Sequence, residues 1–191
     1  MSTTTTHTTA LPSRIAALDP VHAAGKNAEI FTAVKSKLGV VPNLMRTLGH
    51  SPAALEAYLG FSATLGRGVL PAAVREQIAL AVAQANACDY CLAAHSLLGR
   101  GAGLSTDAIA AARRAHAGDA KIDALLQFAA AVVAARGQVT DTDLAAVRAA
   151  GASDAEIVET VAVVALNIFT NYVNHVAQTV VDFPAAAPLS Q

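Results

Sequence analysis

No stretch of this 191-residue chain alternates apolar and polar residues within turn-residue boundaries, which is the pattern a half-buried strand needs. Alanine- and leucine-rich segments run instead between residues that start or stop helices, and this punctuation predicts an all-α fold. Asn27 to Leu38 reads as a helix closed by Gly39, and VVPNL (Val40 to Leu44) as a break, because Pro42 disfavours helical geometry at Val41. Ser51-Pro52 caps and opens a helix to about Leu65, and Pro71 starts another that runs to about Ala85. Asn86 to Asp89 is expected to bend or restart the helix, placing Cys88 in a new first turn, with Gly99, Gly101 and Gly103 ending it. Ser105 caps a helix to about Ala115, Asp119 to Ala135 forms the next, and Thr140 or Asp141 opens a short one ending at Gly151. Ser153 and Glu156 make a capping box for the last and longest helix, expected to reach Val181.

At this length one core is the default, so residues 13–184 are expected to form a single helical domain. The Thr-rich stretch 1–12 and residues 185–191 read as tails, the first of them disordered. Net charge is −1 and the 13 Lys and Arg are scattered, which gives no electrostatic case for nucleic acid or an anionic membrane. The mean hydropathy of +0.45 raises the question of a membrane span. The most apolar stretch, Val158 to Val181, is interrupted by Glu159, Asn167, Asn171, Asn174 and His175, so a core helix near a subunit contact fits it better. The start MSTTTTHTTALPSR has neither the basic nor the apolar region of an export signal, and the expected location is a reducing cytoplasm.

The chemistry gathers between Glu76 and His95. This segment holds both cysteines of the chain, Cys88 and Cys91, with Glu76 twelve residues before the first and His95 four after the second. On a continuous helix Cys88, Cys91 and His95 fall within about 60° of one another. A structural disulfide between Cys88 and Cys91 would close too small a loop to remove much unfolded-chain entropy. Regular helical geometry also keeps i and i+3 Cβ atoms about 5–6 Å apart, wider than the roughly 3.8 Å a disulfide prefers. Such a bond would need a distorted first turn and would be easily reduced. Zinc is a second reading, since C-x2-C-x3-H offers three ligands, but the fourth would have to be Glu76 or His175 brought in by the fold. Haem attachment fails because position 92 is Leu92.

A redox dithiol is the sharpest reading. A helix N-terminus and a nearby imidazolium lower a thiol's pKa, and Cys91, one turn from His95, is the better nucleophile, with an expected pKa below about 8.5. Cys88 then resolves a sulfenic acid on Cys91, while Glu76 holds the imidazole or relays protons. His22, His50 and His116 read as surface or core histidines, and His7 lies in the first tail. Tyr90 reads as packing, with a hydrogen bond at the site as the alternative, and Asn171, Asn174 and His175 as groups satisfying one another or a subunit contact. One weak echo stands out. Glu159 precedes Asn171 and Asn174 by the offsets that separate Glu76 from Cys88 and Cys91, which either a duplicated helical unit or shared periodicity would produce.

The pattern E-x11-C-x2-C-x3-H resembles the AhpD-like branch of the carboxymuconolactone decarboxylase superfamily. Three flanks agree with its peroxidase-related members: VPNL at Val41 to Leu44, SPAALEAY at Ser51 to Tyr58, and NYVNHVAQTVVDFP at Asn171 to Pro184. The resemblance implies an all-helical subunit, assembled as a homotrimer or homohexamer, that reduces organic hydroperoxides. It casts Cys91 as peroxidatic, Cys88 as resolving, and Glu76 with His95 as the proton relay. No bound cofactor or metal is implied. The reductant is an external dithiol protein, of lipoyl or thioredoxin-like type. Some relatives carry a second His before the peroxidatic cysteine, where this chain has Tyr90, which shortens the relay. Lactone decarboxylation does not depend on a C-x-x-C pair and is disfavoured. The alternative class is a redox-sensing or zinc-binding helical oligomer without catalysis.

Overall fold

A computed structural model describes residues 13–189. The expectations for residues 1–12, His7 included, lie outside that range. Among the described residues there is no strand, and the all-α expectation holds.

After a short 3-10 turn at Pro20–His22 the chain forms α1 (Gly25–Leu38), closed as expected by Gly39 in the left-handed region (φ 77). The break at VVPNL is shorter than the sequence suggests. Pro42 acts as the N-cap of a six-residue helix, α2 (Asn43–Leu48), that the proline signal had masked. The physical reason is that proline restricts the residue before it, whereas the residues after it are free to turn into a helix. Helices α3 (Pro52–Leu65) and α4 (Ala72–Ala85) follow, the former capped by the Ser51 hydroxyl, which accepts the Ala54 N–H. Then come α5 (Asp89–Gly101), α6 (Thr106–Arg113), α7 (Ala120–Ala134) and α8 (Asp141–Ala149). Ser105 and Thr140 cap α6 and α8 as the sequence allows, and Asp119, expected inside its helix, is the N-cap of α7; each accepts a first-turn N–H.

Helix α9 (Asp154–Ala177) opens on the predicted Ser153–Glu156 capping box. It stops four residues short of Val181, because Gln178 turns left-handed (φ 48, ψ 55). The segment after it then runs extended past α2, where Asp182 accepts the Asn43 N–H and Asn43 donates to the Val180 carbonyl.

The core is organised around α4, which packs against α5, α6, α7 and α9. Ile78, Leu80, Val82 and Ala83 are fully buried, so α4 is apolar nearly all round, as a central helix must be. Long enough and apolar enough to span a bilayer by length and composition, α9 nonetheless buries one face in this core, through Ile157, Val163, Val164 and Ala177.

Candidate active site

The site is built at the joint between α4 and α5. At Asn86 the chain leaves α4, and Ala87 adopts a left-handed conformation (φ 52), uncommon for a residue with a Cβ. Cys88 is then extended (φ −93, ψ 94) and becomes the N-cap of α5 rather than a residue of its first turn. This cap geometry supplies the distortion a helical C-x-x-C pair lacks. The Cys88 sulfur accepts the Cys91 N–H at 3.4 Å, and the two sulfurs lie 2.7 Å apart in hydrogen-bond contact, both cysteines free and buried.

The two sulfurs do not hold negative charge equally well. The hydrogen bond between the two thiols, with the Cys91 backbone N–H and the charge of His175, lowers the Cys88 pKa to about 7 against the cost of burial. The negative Cys88 sulfur and burial in turn push the Cys91 thiol up. The reason is positional: the N-cap sulfur, not the one a turn inside, collects the free N–H groups of the helix end.

Glu76 on α4 and His95 on α5 meet because these two helices pack together. The Glu76 Oε2 atom lies 2.8 Å from His95 Nδ1, with both side chains about one-fifth exposed. Burial opposes the imidazolium, but the Glu76 charge and hydrogen bond outweigh it and hold His95 above its ordinary value. The pair expected from sequence is therefore assembled.

The two sulfurs touch each other yet border different spaces. Cys91 lines an apolar cavity of about 370 Å³ with Tyr58, Tyr90, His95, Leu98 and Phe183. Cys88 lines an open groove of about 470 Å³ with Asn174, His175 and Gln178. A smaller polar cavity of about 120 Å³ lies behind the Glu76–His95 pair, bordered by Ser62, Arg75 and Asn167.

Tyr90 packs edge-on against Phe183, with ring centroids 5.5 Å apart, and its hydroxyl accepts the Leu44 N–H at 3.0 Å. The packing reading holds, and the hydroxyl, by accepting from Leu44, ties α2 to α5 rather than donating at the thiols. His175 is held by the Asn86 carbonyl at 2.8 Å. Among the described residues, no three His, Cys, Asp or Glu side chains converge as a metal site would require. The zinc reading therefore finds no fourth ligand in either Glu76 or His175. His22 and His116 pair with Asp19 and Asp123 on the surface, and His50 bonds the Ala16 carbonyl.

Three residues that sequence reasoning assigned to mutual satisfaction, or passed over, belong to the site. Asn174 Nδ2 donates to Cys91 Sγ at 3.3 Å. Asn171, wholly buried, accepts from Asn86 Nδ2 at 2.9 Å. Tyr58 of α3 borders both the apolar and the polar cavity, and burial with the charges of Cys91 and Glu76 pushes its pKa to about 12. The echo of offsets around Glu159 was the available signal for the asparagines, and SPAALEAY ended on Tyr58.

A helical subunit carrying a buried dithiol beside a carboxylate–imidazole pair defines the class, and the comparisons agree with it. Residues 52–135, which contain the whole E-x11-C-x2-C-x3-H pattern, match the carboxymuconolactone decarboxylase family. The match is confined to these residues, and the solved structures below carry the likeness over most of the chain. It is similar to a peroxidase-related protein from Silicibacter sp. TM1040, at 26% identity and TM-score 0.77 over 88% of this chain and 93% of that one. It is also similar to an alkylhydroperoxidase AhpD core, a peroxidase-related protein from Ralstonia eutropha JMP134, at 25% identity and TM-score 0.80 over 89% and 92%. The debrominase Bmp8, solved with 2,3,4-tribromopyrrole, shares the fold at 19% identity and TM-score 0.76 over 91% and 94%. No curated protein matches the sequence.

Proposed function

We propose that this protein is a thiol-dependent organic hydroperoxide reductase. The observation that carries the reading is the pair of free sulfurs 2.7 Å apart, one of which borders an apolar cavity shared with His95. In the resting site one negative charge sits mainly on Cys88. As the hydroperoxide enters the apolar cavity, the Cys91 proton crosses to Cys88 and the Cys91 thiolate attacks the terminal peroxide oxygen. The S–O bond forms, the O–O bond breaks, and the departing alkoxide takes a proton from the His95 imidazolium held by Glu76. Cys88 then attacks the Cys91 sulfenic acid, forming the disulfide, and its proton leaves with the hydroxyl as water. An external dithiol protein, lipoyl-type or thioredoxin-like, returns two electrons and two protons; the open groove at Cys88 suits its approach. No bound metal or cofactor enters the cycle, and a reducing cytoplasm suits it.

Assembly belongs to the same proposal. Val158, Val161, Phe169, Tyr172 and Val176 form an exposed apolar stripe at helical spacing along α9, which supports a homotrimer or homohexamer. Reductive debromination by the same dithiol is the second reading, favoured by the apolar, aromatic-flanked cavity at Cys91.

The test is cumene hydroperoxide consumption with dihydrolipoamide in the parent and in Cys88→Ser and Cys91→Ser. Loss of turnover in both variants is the expected result. No turnover in the parent, with the dithiol still cycling reversibly, would replace catalysis by redox sensing. Bromide release from a bromopyrrole in place of peroxide turnover would favour the second reading.

A further inference from the structure

The cysteine placed to meet the substrate is the one whose ionisation is opposed, and the groups that offset this lie on α9. Asn174, 5% exposed, donates through Nδ2 to Cys91 Sγ at 3.3 Å. Asn171, 0% exposed, lies one turn earlier on the same face of α9. Its Oδ1 is occupied by Asn86 Nδ2 at 2.9 Å, which fixes the amide so that its own N–H₂ points away from Asn86, and that Nδ2 has no hydrogen-bond partner. A wholly buried amide donor without a partner costs free energy, and such a group is commonly held for something that arrives.

We propose that Asn171 and Asn174 form an amide cradle for negative charge on the Cys91 sulfur, transferring the nucleophile's role from Cys88 to Cys91 when the shared proton moves. Two neutral donors suit this task better than a cation. They stabilise an anion without competing with the imidazolium of His95 for the Glu76 carboxylate; Asn174 favours a negative charge on either sulfur, and Asn171 adds its donor on the Cys91 side. Asn86 acts through Asn171 as a positioning residue, and it sits at the chain break that makes Cys88 an N-cap. One strained joint thus sets the resting charge and aims the group that relocates it. The inference rests on the peroxidase reading for its purpose, though its geometry does not depend on that reading.

The experiment uses the full chain carrying Cys88→Ser, in which Cys91 is the one thiol. The titratable groups around it are Tyr58 from α3, Glu76 from α4, His95 from α5 and His175 from α9, and all are kept. Iodoacetamide alkylation is followed against pH, together with dimedone trapping of the sulfenic acid formed by one equivalent of cumene hydroperoxide. Asn174→Ala and Asn171→Ala are each expected to raise the alkylation midpoint by about 1 pH unit or more and to lower trapping about tenfold. Asn86→Ala, at a half-buried site, is the variant to use if the α9 changes do not fold, and it should raise the midpoint by less in the same direction. Unchanged midpoints in the folded variants would overturn the cradle. Raised midpoints with no sulfenic acid in the Cys88→Ser chain itself would leave the cradle standing and sink the peroxidase reading.

Discussion

Two stretches of this chain share a spacing and fold differently. Glu76, Cys88 and Cys91 stand at the same offsets as Glu159, Asn171 and Asn174. The first set is split by a left-handed Ala87 into α4 and α5, while the second lies within one unbroken α9. The break turns a helix-interior thiol into an N-cap sulfur; the continuous helix keeps its two amides one turn apart on a single face. Glu76 faces an imidazole, whereas Glu159 accepts the backbone N–H groups of Val69 and Leu70 at 2.7 and 2.9 Å. Identical spacing has thus yielded a carboxylate paired with an imidazole and one that caps backbone N–H groups. The two sets then meet across the α4–α9 and α5–α9 contacts, thiols against amides.

The sharpest way to break the comparison is Glu76→Gln. It keeps the shape and removes the charge that raises the His95 pKa, so peroxide turnover should fall by about 10²–10⁴-fold. The sign of the pH effect follows from the raised His95 value. The imidazolium persists above the ordinary histidine range in the parent, and it should be lost at lower pH in the variant. The alkaline limb of the rate profile therefore moves toward acid. Stability follows the same rule: the pair's contribution is present below the unfolded histidine pKa and fades as pH rises through the folded one. Glu159→Gln should leave the rate profile where it is, and a shift there would erase the distinction between the two carboxylates.

A smaller effect separates the two cysteines. With Cys88 lowered to about 7 and Cys91 raised, alkylation of the parent chain should show a first midpoint near 7, with the label on Cys88 when mapped by peptide mass. First labelling on Cys91 would reverse the assignment and restore the order expected from sequence.

What the sequence made legible, and what it hid, follows the same division. Caps and glycine stops are local, so Ser51, Ser105, Thr140 and the Ser153–Glu156 box placed helix starts within a residue or two. The Glu76–His95 pair was legible because charge complementarity and motif spacing both pointed to it. The left-handed Ala87 was not, since alanine carries no sign of positive φ and a helix-favouring residue there argues for continuity. One unseen dihedral moved Cys88 to the cap, where its sulfur accepts the Cys91 N–H as well as sharing a hydrogen bond with the Cys91 thiol. Asn171 and Asn174 were read as satisfying one another or a subunit contact because their partners lie more than eighty residues away in sequence, Asn86 at the end of α4 for the first and Cys91 on α5 for the second. Tyr58 had no chemical context until α3, packed on α9 and α2, brought it to the cavities that His95 lines.

Gly68→Ala probes the capping carboxylate. A Cβ at Gly68 would fall on the Glu159 side chain, displacing it from the Val69 and Leu70 N–H groups. Loss of this cap should cost about 1–3 kcal/mol, read as a lower denaturant midpoint with unchanged slope. The alkylation profile of the thiols should not move, because Glu159 serves the turn before α4 and not the sulfurs. A changed profile would mean that the two carboxylates communicate through α4.

The gentlest test acts on the break itself. Ala87 is exposed and holds φ 52, a conformation glycine adopts at no steric cost. In the folded state Ala87→Gly relieves that strain, while in the unfolded chain glycine has more freedom to lose; the two effects oppose each other. The net change should be within about 1 kcal/mol, and stabilising if relief of the left-handed strain outweighs the lost freedom. The thiols supply the more telling readout. If the turn alone makes Cys88 the N-cap, its alkylation midpoint stays near 7 in Ala87→Gly. Ala87→Val, whose branched Cβ resists positive φ, should instead push the joint toward helical continuity and raise that midpoint toward the ordinary thiol value. A Cys88 midpoint indifferent to valine would show that packing against α9, and not the local turn, holds the sulfur at the helix end.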